Sequence, residues 1–408
     1  MKAMGTIPAE FAGARLRIAG RSAEEWVAKA GDTPLFVYDL GVVESRIARF
    51  RAAFPNVDLH YAIKANPFAP LVAAIEPLVD GLDVASSGEL EIAWQTDPAA
   101  KVSFAGPGKR DDELEFAIRL NATINLESAN EAVRALRIGK QLKNRPRLAV
   151  RVNPEIELRG SGMRMGGRAS PFGIDADRAA AVARTVIDAG ADWRGWHIFA
   201  GSQALDAGAI IETQAATLDL AERLTEDVGV MPPLVNLGGG FGIPYFPGEV
   251  QVDVESVGAA LAGRLTSSPL TSRFAIELGR WLVGEAGVYL TRVVDRKVSR
   301  GETFIVTDGG MNHQLAASGN LGTVVRRNYP VAVATADADA DAPTETVSVV
   351  GPLCTPLDRL ADQVALPEAH PGDIIAVFMA GAYGLSASPA GFLGHVKPAE
   401  ILGAAERS

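Results

Sequence analysis

The sequence predicts an α/β protein, a closed (β/α)8 barrel of the TIM type followed by a β-rich C-terminal domain. Three observations predict it. Eight short apolar segments alternate with helical stretches between Leu59 and Glu277, the pattern of repeated βα units and a parallel sheet. Eight units fit a closed barrel better than an open doubly wound sheet, and no G-x-G-x-x-G follows the first strand to open a dinucleotide site. Past Arg280 the rhythm changes to the long β-rich runs Val283 to Val294 and Thr303 to Thr307, without intervening helices. A chain of 408 residues is in any case too long for one ordinary core.

The chain opens with a short strand at Ala14 to Ile18 and a helix at Ser22 to Ala30. Leu35 to Asp39 reads as a strand, and Val42 to Phe54 as an amphipathic helix with apolar residues at helical spacing. The barrel strands are then Leu59 to Ile63, Gly81 to Ala85, Val102 to Ala105, Thr123 to Leu126, Arg147 to Val152, Gly195 to Phe199, Leu234 to Leu237 and Phe274 to Glu277. Asn66-Pro67 stops the first of these and starts a helix.

Two segments break the pattern. Pro154 to Ile174 contains Gly160-Ser-Gly-Met-Arg-Met-Gly-Gly167, a glycine-rich loop expected over the barrel mouth. Thr335 to Thr344, with its Ala-Asp repeats, reads as a surface excursion without function. The basic run Arg134, Arg137, Lys140, Lys143, Arg145, Arg147 is expected near the barrel's bottom as a solvated helix end, favourable to the helix dipole.

Composition narrows the function classes. Hydrophobic content of 48% and charged content of 22% are those of a soluble globular protein. A net charge of −10 argues against nucleic acid or an anionic membrane as partner, because both demand a basic face. There is no apolar run long enough for a membrane span, and the start Met1-Lys-Ala-Met-Gly5 lacks the apolar core of a signal peptide, so a cytoplasmic location is expected. The single cysteine, Cys354, rules out an intramolecular disulfide and a multi-cysteine metal site, and the five scattered histidines form no ligand pair, so no metal is expected.

In barrel enzymes chemistry gathers at the C-terminal ends of the strands, with phosphate held after strands seven and eight. Strand one delivers Lys64; strand two carries Asp83; strand six ends in Phe199-Ala-Gly201-Ser202. Strand seven runs into Gly238, Gly239 and Gly240, and strand eight into Glu277-Leu-Gly279-Arg280. Alone, Lys64 reads as a solvated ammonium, the triple glycine as a tight turn, Phe199 as core packing and Cys354 as a small buried hydrophobe. Together they allow another reading. Residues without side chains let backbone N–H groups converge on an anion, with Arg280 a fixed cation beside them. A phosphate there, an amine across the barrel, a carboxylate for a ring nitrogen and a flat face at Phe199 are the parts of a pyridoxal phosphate site.

These stretches resemble the fold-type III pyridoxal phosphate decarboxylases that include diaminopimelate and ornithine decarboxylases. Tyr61-Ala-Ile-Lys64-Ala-Asn66 is similar to the family's Schiff-base lysine motif, and Gly81-Leu-Asp83 to Glu89 to its second-strand motif. Gly238 to Gly240 and Glu277 to Arg280 resemble the phosphate and pyridine-nitrogen motifs; Gly351-Pro-Leu-Cys354-Thr-Pro-Leu-Asp358 and Gly381-Ala-Tyr383-Gly384 resemble two C-terminal ones. The resemblance implies an alanine-racemase-like barrel over residues 41–282, a β domain over 283–408 and a segment 1–40 packing with that β domain. It also implies a head-to-tail homodimer with shared active sites, in which Cys354 reaches the partner's lysine site and protonates the carbon that has lost CO2. Tyr383 would contact the cofactor phosphate.

Three departures bear on substrate. The usual H-x-H-I-G-S reads His197-Ile-Phe199-Ala-Gly201-Ser202, so the stacking histidine is a phenylalanine. The acidic residue expected after the cysteine, which holds a distal amine, is Thr355. The region Gly310-Met-Asn-His313 to Asn328-Tyr329-Pro330 lacks the R-P-x-L-Y pattern that holds the far carboxylate of diaminopimelate. With Thr355 and Asp358 as substrate-side positions, what remains is similar to a branch that includes a decarboxylase of glutamate bound to an acyl-carrier protein and exosortase-associated relatives. The stretches that point there are the Gly160 loop, Phe-Ala-Gly-Ser, Ala-Ala-Ser-Gly-Asn320 and Arg-Arg-Asn-Tyr-Pro330; Arg326 and Arg327 read either as contacts for a distal carboxylate or as surface residues. The expectation is therefore a pyridoxal phosphate decarboxylase of an amino acid, free or carrier-bound. Rival readings are diaminopimelate decarboxylase proper, a racemase of the same barrel class, and a non-catalytic cofactor-binding protein. A carboxylate at the pyridine nitrogen disfavours the racemase, and the second domain disfavours the carrier.

Overall fold

The computed structural model describes residues 1–13, 15–155, 163–164, 169–319, 326–336 and 343–404, with 163–164 described in their backbone only. The chain divides into two compact units, Arg46–Ile243 with Gln251–Gly279, and Met1–Ser45 with Pro244–Val250 and Arg280–Ser408.

The first unit is a closed barrel. Its strands are β1 (Asp58–Ala62), β2 (Gly81–Val84), β3 (Val102–Phe104), β4 (Thr123–Leu126), β5 (Arg147–Asn153), β6 (Asp192–Ile198), β7 (Leu234–Gly239) and β8 (Arg273–Leu278). Every neighbouring pair is parallel, and β8 returns to β1 through Ile276↔Leu59 and Glu277↔His60, which closes the ring. The eight strands are the eight read from the sequence, each within a few residues. Closure leaves no unpaired strand edge. The strand positions Leu59, Tyr61, Leu82, Ile124, Leu148, Val150, Val235 and Ile276, which alternate with the inward-facing polar residues, are all buried, each large aliphatic contributing about 1.5–3 kcal/mol over exposure. Phe50 and Phe54 stack at 4.7 Å, and Phe54 meets Phe241 at 6.0 Å, so the helix before β1 is fastened to the segment after β7.

Strand β1 stops one residue earlier than the periodicity suggests. Ile63–Ala65 forms a single 3₁₀ turn, so Lys64 lies just past the strand rather than on it. The reason is local: Asn66 donates its N–H to Ile63 O at 2.9 Å, and Tyr61 Oη donates to Asn66 O at 2.8 Å, folding the chain over before Pro67. The helix then begins at Ala69.

Most of the glycine-rich loop lies outside the described residues, as does most of the Ala-Asp segment and Asn320. Met163–Arg164 pairs antiparallel with Gly201–Ser202, just past the C-terminal end of β6. Of the basic run, Arg134 and Arg137 are not simply solvated; both pair with Asp111 of the preceding helix.

The second unit is β-rich. Strand β9 (Gly287–Ser299) pairs antiparallel with β10 (Glu302–Thr307) and with Ile374–Val377. Beyond β10 the sheet continues through Thr344–Val350 and Arg359–Pro367. The strand Leu35–Asp39 lies between β9 and Ala399–Gly403, which places N-terminal and C-terminal segments in one sheet. The N-terminal strand is shorter than read, Arg17–Ile18, and Ala14 is outside the described residues. Among the described residues no helix is long and apolar enough to cross a membrane.

Candidate active site

The C-terminal ends of β1, β2, β6, β7 and β8 bring together the barrel residues singled out by sequence. Lys64 Nζ stands 5.6 Å from the centroid of the Phe199 ring. Gly279 packs directly against Ala62, which precedes the lysine turn, and Ala65, which ends it, at a distance that leaves no room for a Cβ. Strand-end geometry thus sets the amine and the aromatic face in one mouth.

Glu277 is 5% exposed; its Oε2 accepts a hydrogen bond from Asn236 Nδ2 at 3.1 Å and has His197 Nε2 in close polar contact, also at 3.1 Å but outside hydrogen-bond geometry. Burial alone would favour the neutral acid, but His197 and the cations Lys64 and Arg151 outweigh it and hold the carboxyl well below its usual range. Asp83 goes the other way. It is 2% exposed, its Oδ1 has no hydrogen-bond partner, and burial, reinforced by the charge of Glu277, pushes its pKa well above the ordinary value. The two buried carboxyls are thus driven in opposite directions, Glu277 towards the anion and Asp83 away from it.

The glycine loop is built on close backbone approach. A Cβ at Gly239 would overlap Glu277 O, one at Gly240 would overlap Gly201 O, and one at Gly238 would press on Ile198 O. Gly238 and Gly240 also have φ of +72° and +83°, a region that side chains rarely enter. Asn236 Oδ1 accepts the N–H of Gly238 at 2.8 Å, so one amide ties the loop to the Glu277 carboxylate. Ser202 sits beside this loop, where Ala204 N–H donates to Gly240 O at 2.9 Å.

Residues missed by sequence reading stand under Phe199. Arg151 lies 6.0 Å from the Phe199 ring and 5.2 Å from Phe172, and pairs with Glu127 at 2.9 Å. Glu127 in turn accepts N–H groups from Gly106 and Gly173 at 2.6 and 2.7 Å. Their signal was available: a charged or amide residue inside an apolar barrel strand, as in Arg151, His197 and Asn236, needs a buried partner.

The remaining predicted residues belong to the β-rich unit. Arg280 donates to Tyr245 Oη at 2.7 Å and stacks over the Tyr383 ring at 4.6 Å; its Nε is buried without a hydrogen-bond partner. Tyr383 has φ of +53°, a conformation costly for a non-glycine residue. Cys354 is exposed on a loop held by Asp358, whose carboxylate accepts N–H from Met311 at 2.6 Å and Leu353 at 2.8 Å. Thr355 follows Cys354 on the same loop, its N–H bonded back to Leu353 O at 2.8 Å. Both Asp358 oxygens are therefore engaged with backbone, and Gly310 and Gly351 close over them without space for a side chain.

The barrel mouth fits pyridoxal phosphate by its own chemistry. It offers an amine, an aromatic face, a buried anion with one oxygen free of any described hydrogen bond, and a glycine loop in left-handed conformation. The comparisons with known proteins agree. Residues 40–284 match the model of the family described as pyridoxal-dependent decarboxylase, pyridoxal binding domain. The chain belongs to this family. It is 36% identical over 384 residues to the L-glutamyl-[BtrI acyl-carrier protein] decarboxylase of Niallia circulans, covering 92% of this chain and 89% of that one. It is 32% identical over 404 residues to the diaminopimelate decarboxylase of Methanothermobacter thermautotrophicus, covering 95% and 90%. Among solved structures, the diaminopimelate decarboxylase of Helicobacter pylori complexed with L-lysine superposes with a TM-score of 0.83 at 26% identity, covering 93% of each chain. This decarboxylase is thus a pyridoxal phosphate enzyme of the amino-acid carboxy-lyase type, with the barrel and β-rich domain of its family.

Proposed function

We propose that this decarboxylase removes the α-carboxylate of an aminoacyl group whose distal end differs from that of diaminopimelate, with a substrate carried on an acyl-carrier protein as the leading candidate. The observation that carries this reading is Thr355, a neutral residue directly after Cys354 where an acid would hold a distal ammonium. The similarity to a carrier-protein glutamyl decarboxylase supports it. A second reading, decarboxylation of free diaminopimelate, is favoured by the 32% identity to an enzyme of that name over 95% of the chain.

Bound pyridoxal phosphate supplies an electron sink for the pair released when the Cα–carboxylate bond breaks. In this reading Lys64 anchors the cofactor through its amine, Phe199 and Asp83 flank the ring, and Glu277 keeps the pyridine nitrogen protonated. Gly238, Gly239, Gly240, Ser202, Gly279, Arg280 and Tyr383 hold the phosphate. Cys354 delivers a proton to Cα, and Thr355 lines the substrate's distal end. Asp358, assigned to the substrate side, acts there through the loop it braces. We also infer a homodimer in which Cys354 serves the lysine site of the other copy. Its support is the exposed thiol in a β-rich unit whose Leu357, Phe392, Leu393 and Val396 side chains are 45–80% exposed, an apolar set suited to burial against a second chain.

The test is CO2 release by the cofactor-loaded enzyme against meso-diaminopimelate, lysine, ornithine, arginine, glutamate and glutamyl-carrier protein. Turnover confined to glutamate or glutamyl-carrier protein is expected. Efficient turnover of free diaminopimelate would overturn the substrate assignment in favour of the second reading.

A further inference from the structure

The carboxylate of Glu277 is held from two adjacent strands. His197 on β6 and Asn236 on β7 are direct partners in the ladder between those strands, and both side chains reach the same oxygen, Oε2, of Glu277 on β8. No hydrogen bond to Oε1 is found among the described residues. Asn236 cannot be rotated to serve otherwise, because its carbonyl oxygen accepts the Gly238 N–H. His197 is 2% exposed, and neither ring nitrogen meets hydrogen-bond geometry with a partner, so its hold on Glu277 is the 3.1 Å contact of Nε2 with Oε2. The residue lines a cavity of about 130 Å³ at the opposite end of the barrel, where His60, Ser103 and Asn125 are among the polar residues of the lining. A cavity of that size holds water where polar groups line it, so the imidazole can be solvated from below while Nε2 stays against the carboxylate.

We propose that His197 is a positioning residue for the decarboxylation: with Asn236 it fixes Glu277 through Oε2 and leaves Oε1 for the cofactor's pyridine nitrogen. This rests on Glu277 being the partner of that nitrogen. A carboxylate free to turn would share its charge between ring and barrel wall; one clamped on a single oxygen presents the other in a constant position. Lys64, Arg151, Asp83 and His60 also face Glu277 electrostatically, but their charges act at a distance and do not select one oxygen over the other.

The experiment compares His197→Leu, which removes the polar contact, His197→Asn, which is polar but too short, and His197→Gln, whose Nε2 falls near the position of the imidazole Nε2. Three readouts are taken: kcat and KM, the affinity of the apoprotein for pyridoxal phosphate, and the pH titration of the bound cofactor's absorbance. For Leu and Asn, kcat is expected to fall about 10- to 100-fold with KM within roughly threefold, the scale of a lost close polar contact to a buried charged group. The pH midpoint of the absorbance moves in both, and His197→Gln restores most of kcat and of the midpoint. Adding His197→Asn to Glu277→Gln costs little more than Glu277→Gln alone. Wild-type kcat and midpoint in His197→Asn, or equal loss in the Asn and Gln variants, would overturn the positioning role. An unchanged cofactor titration in Glu277→Gln would instead overturn the assignment of Glu277 itself.

Discussion

Asn236 joins Glu277 to Gly238: its amide nitrogen donates to Glu277 Oε2 at 3.1 Å while its oxygen accepts the Gly238 N–H at 2.8 Å. The carboxylate assigned to the cofactor ring and the loop assigned to its phosphate are therefore set by one side chain. Replacing it with alanine strips a buried carboxylate and a backbone N–H of a partner at once, at about 1–3 kcal/mol for each group left unsatisfied. Asn236→Ala is expected to weaken cofactor binding by roughly tenfold or more, read by titrating the apoprotein with pyridoxal phosphate.

The glycine loop makes a prediction about stability. At Gly239 a methyl group would overlap the Glu277 carbonyl, and β7 and β8 must separate to admit it. Gly239→Ala is expected to destabilise the barrel by about 1–3 kcal/mol in urea unfolding and to lower cofactor affinity. Gly190→Ala is the control. That residue also has positive φ, +77°, but nothing lies within 4 Å of the added carbon, so only the backbone cost of about 1–2 kcal/mol applies and cofactor affinity is unchanged.

The barrel was legible in the sequence because strand and helix periods alternate cleanly, and each of the eight strands formed where the apolar runs stood. The lysine turn was not, since nothing in Tyr61-Ala-Ile-Lys64 announces that Tyr61 Oη will bond Asn66 O and fold the chain over early. Lys64, Phe199, Glu277 and the glycines could be named from their place at strand ends. His197, Asn236 and Arg151 stand out in the sequence only as polar residues in apolar strands; their roles depend on which side chain lies opposite across the ladder. That is a property of register between strands, whose partnered residues stand 24 to 41 positions apart for Arg151–Glu127 and Asn236–Glu277, and periodicity within one strand carries no information about it.

His313 gives a pH-dependent prediction. It is fully buried, and Asn312 Nδ2 donates to its Nε2 at 3.0 Å, so Nε2 must stay unprotonated; Tyr289 Oη lies 3.0 Å from Nδ1. Burial pushes its pKa down to about 4 from 6.5. Between those values the unfolded chain binds a proton that the native state refuses, so stability is complete above pH 6.5 and falls as pH drops towards 4, by about 1–3 kcal/mol in all. Chemical unfolding at pH 7 and pH 5 should show the native protein losing more stability than His313→Asn across the same interval.

Lys64 is exposed and belongs to a turn closed by the Asn66 N–H to Ile63 O hydrogen bond. Lys64→Ala is accordingly expected to keep the fold, with an unfolding midpoint within about 0.5 kcal/mol of the parent. It should lose the absorbance of covalently held cofactor and lose turnover. Retention of that absorbance would move the anchoring role to another amine.

The most direct measurement is an intact-mass analysis of glutamyl-carrier protein after incubation with the cofactor-loaded enzyme in deuterium oxide. The expected product has lost its α-carboxylate as CO2 and gained a single solvent-derived deuteron at Cα, with the same change absent for Lys64→Ala. Recovery of the carrier-bound substrate with its carboxylate intact and deuterium merely exchanged at Cα would contradict decarboxylation of that group and point to a racemase.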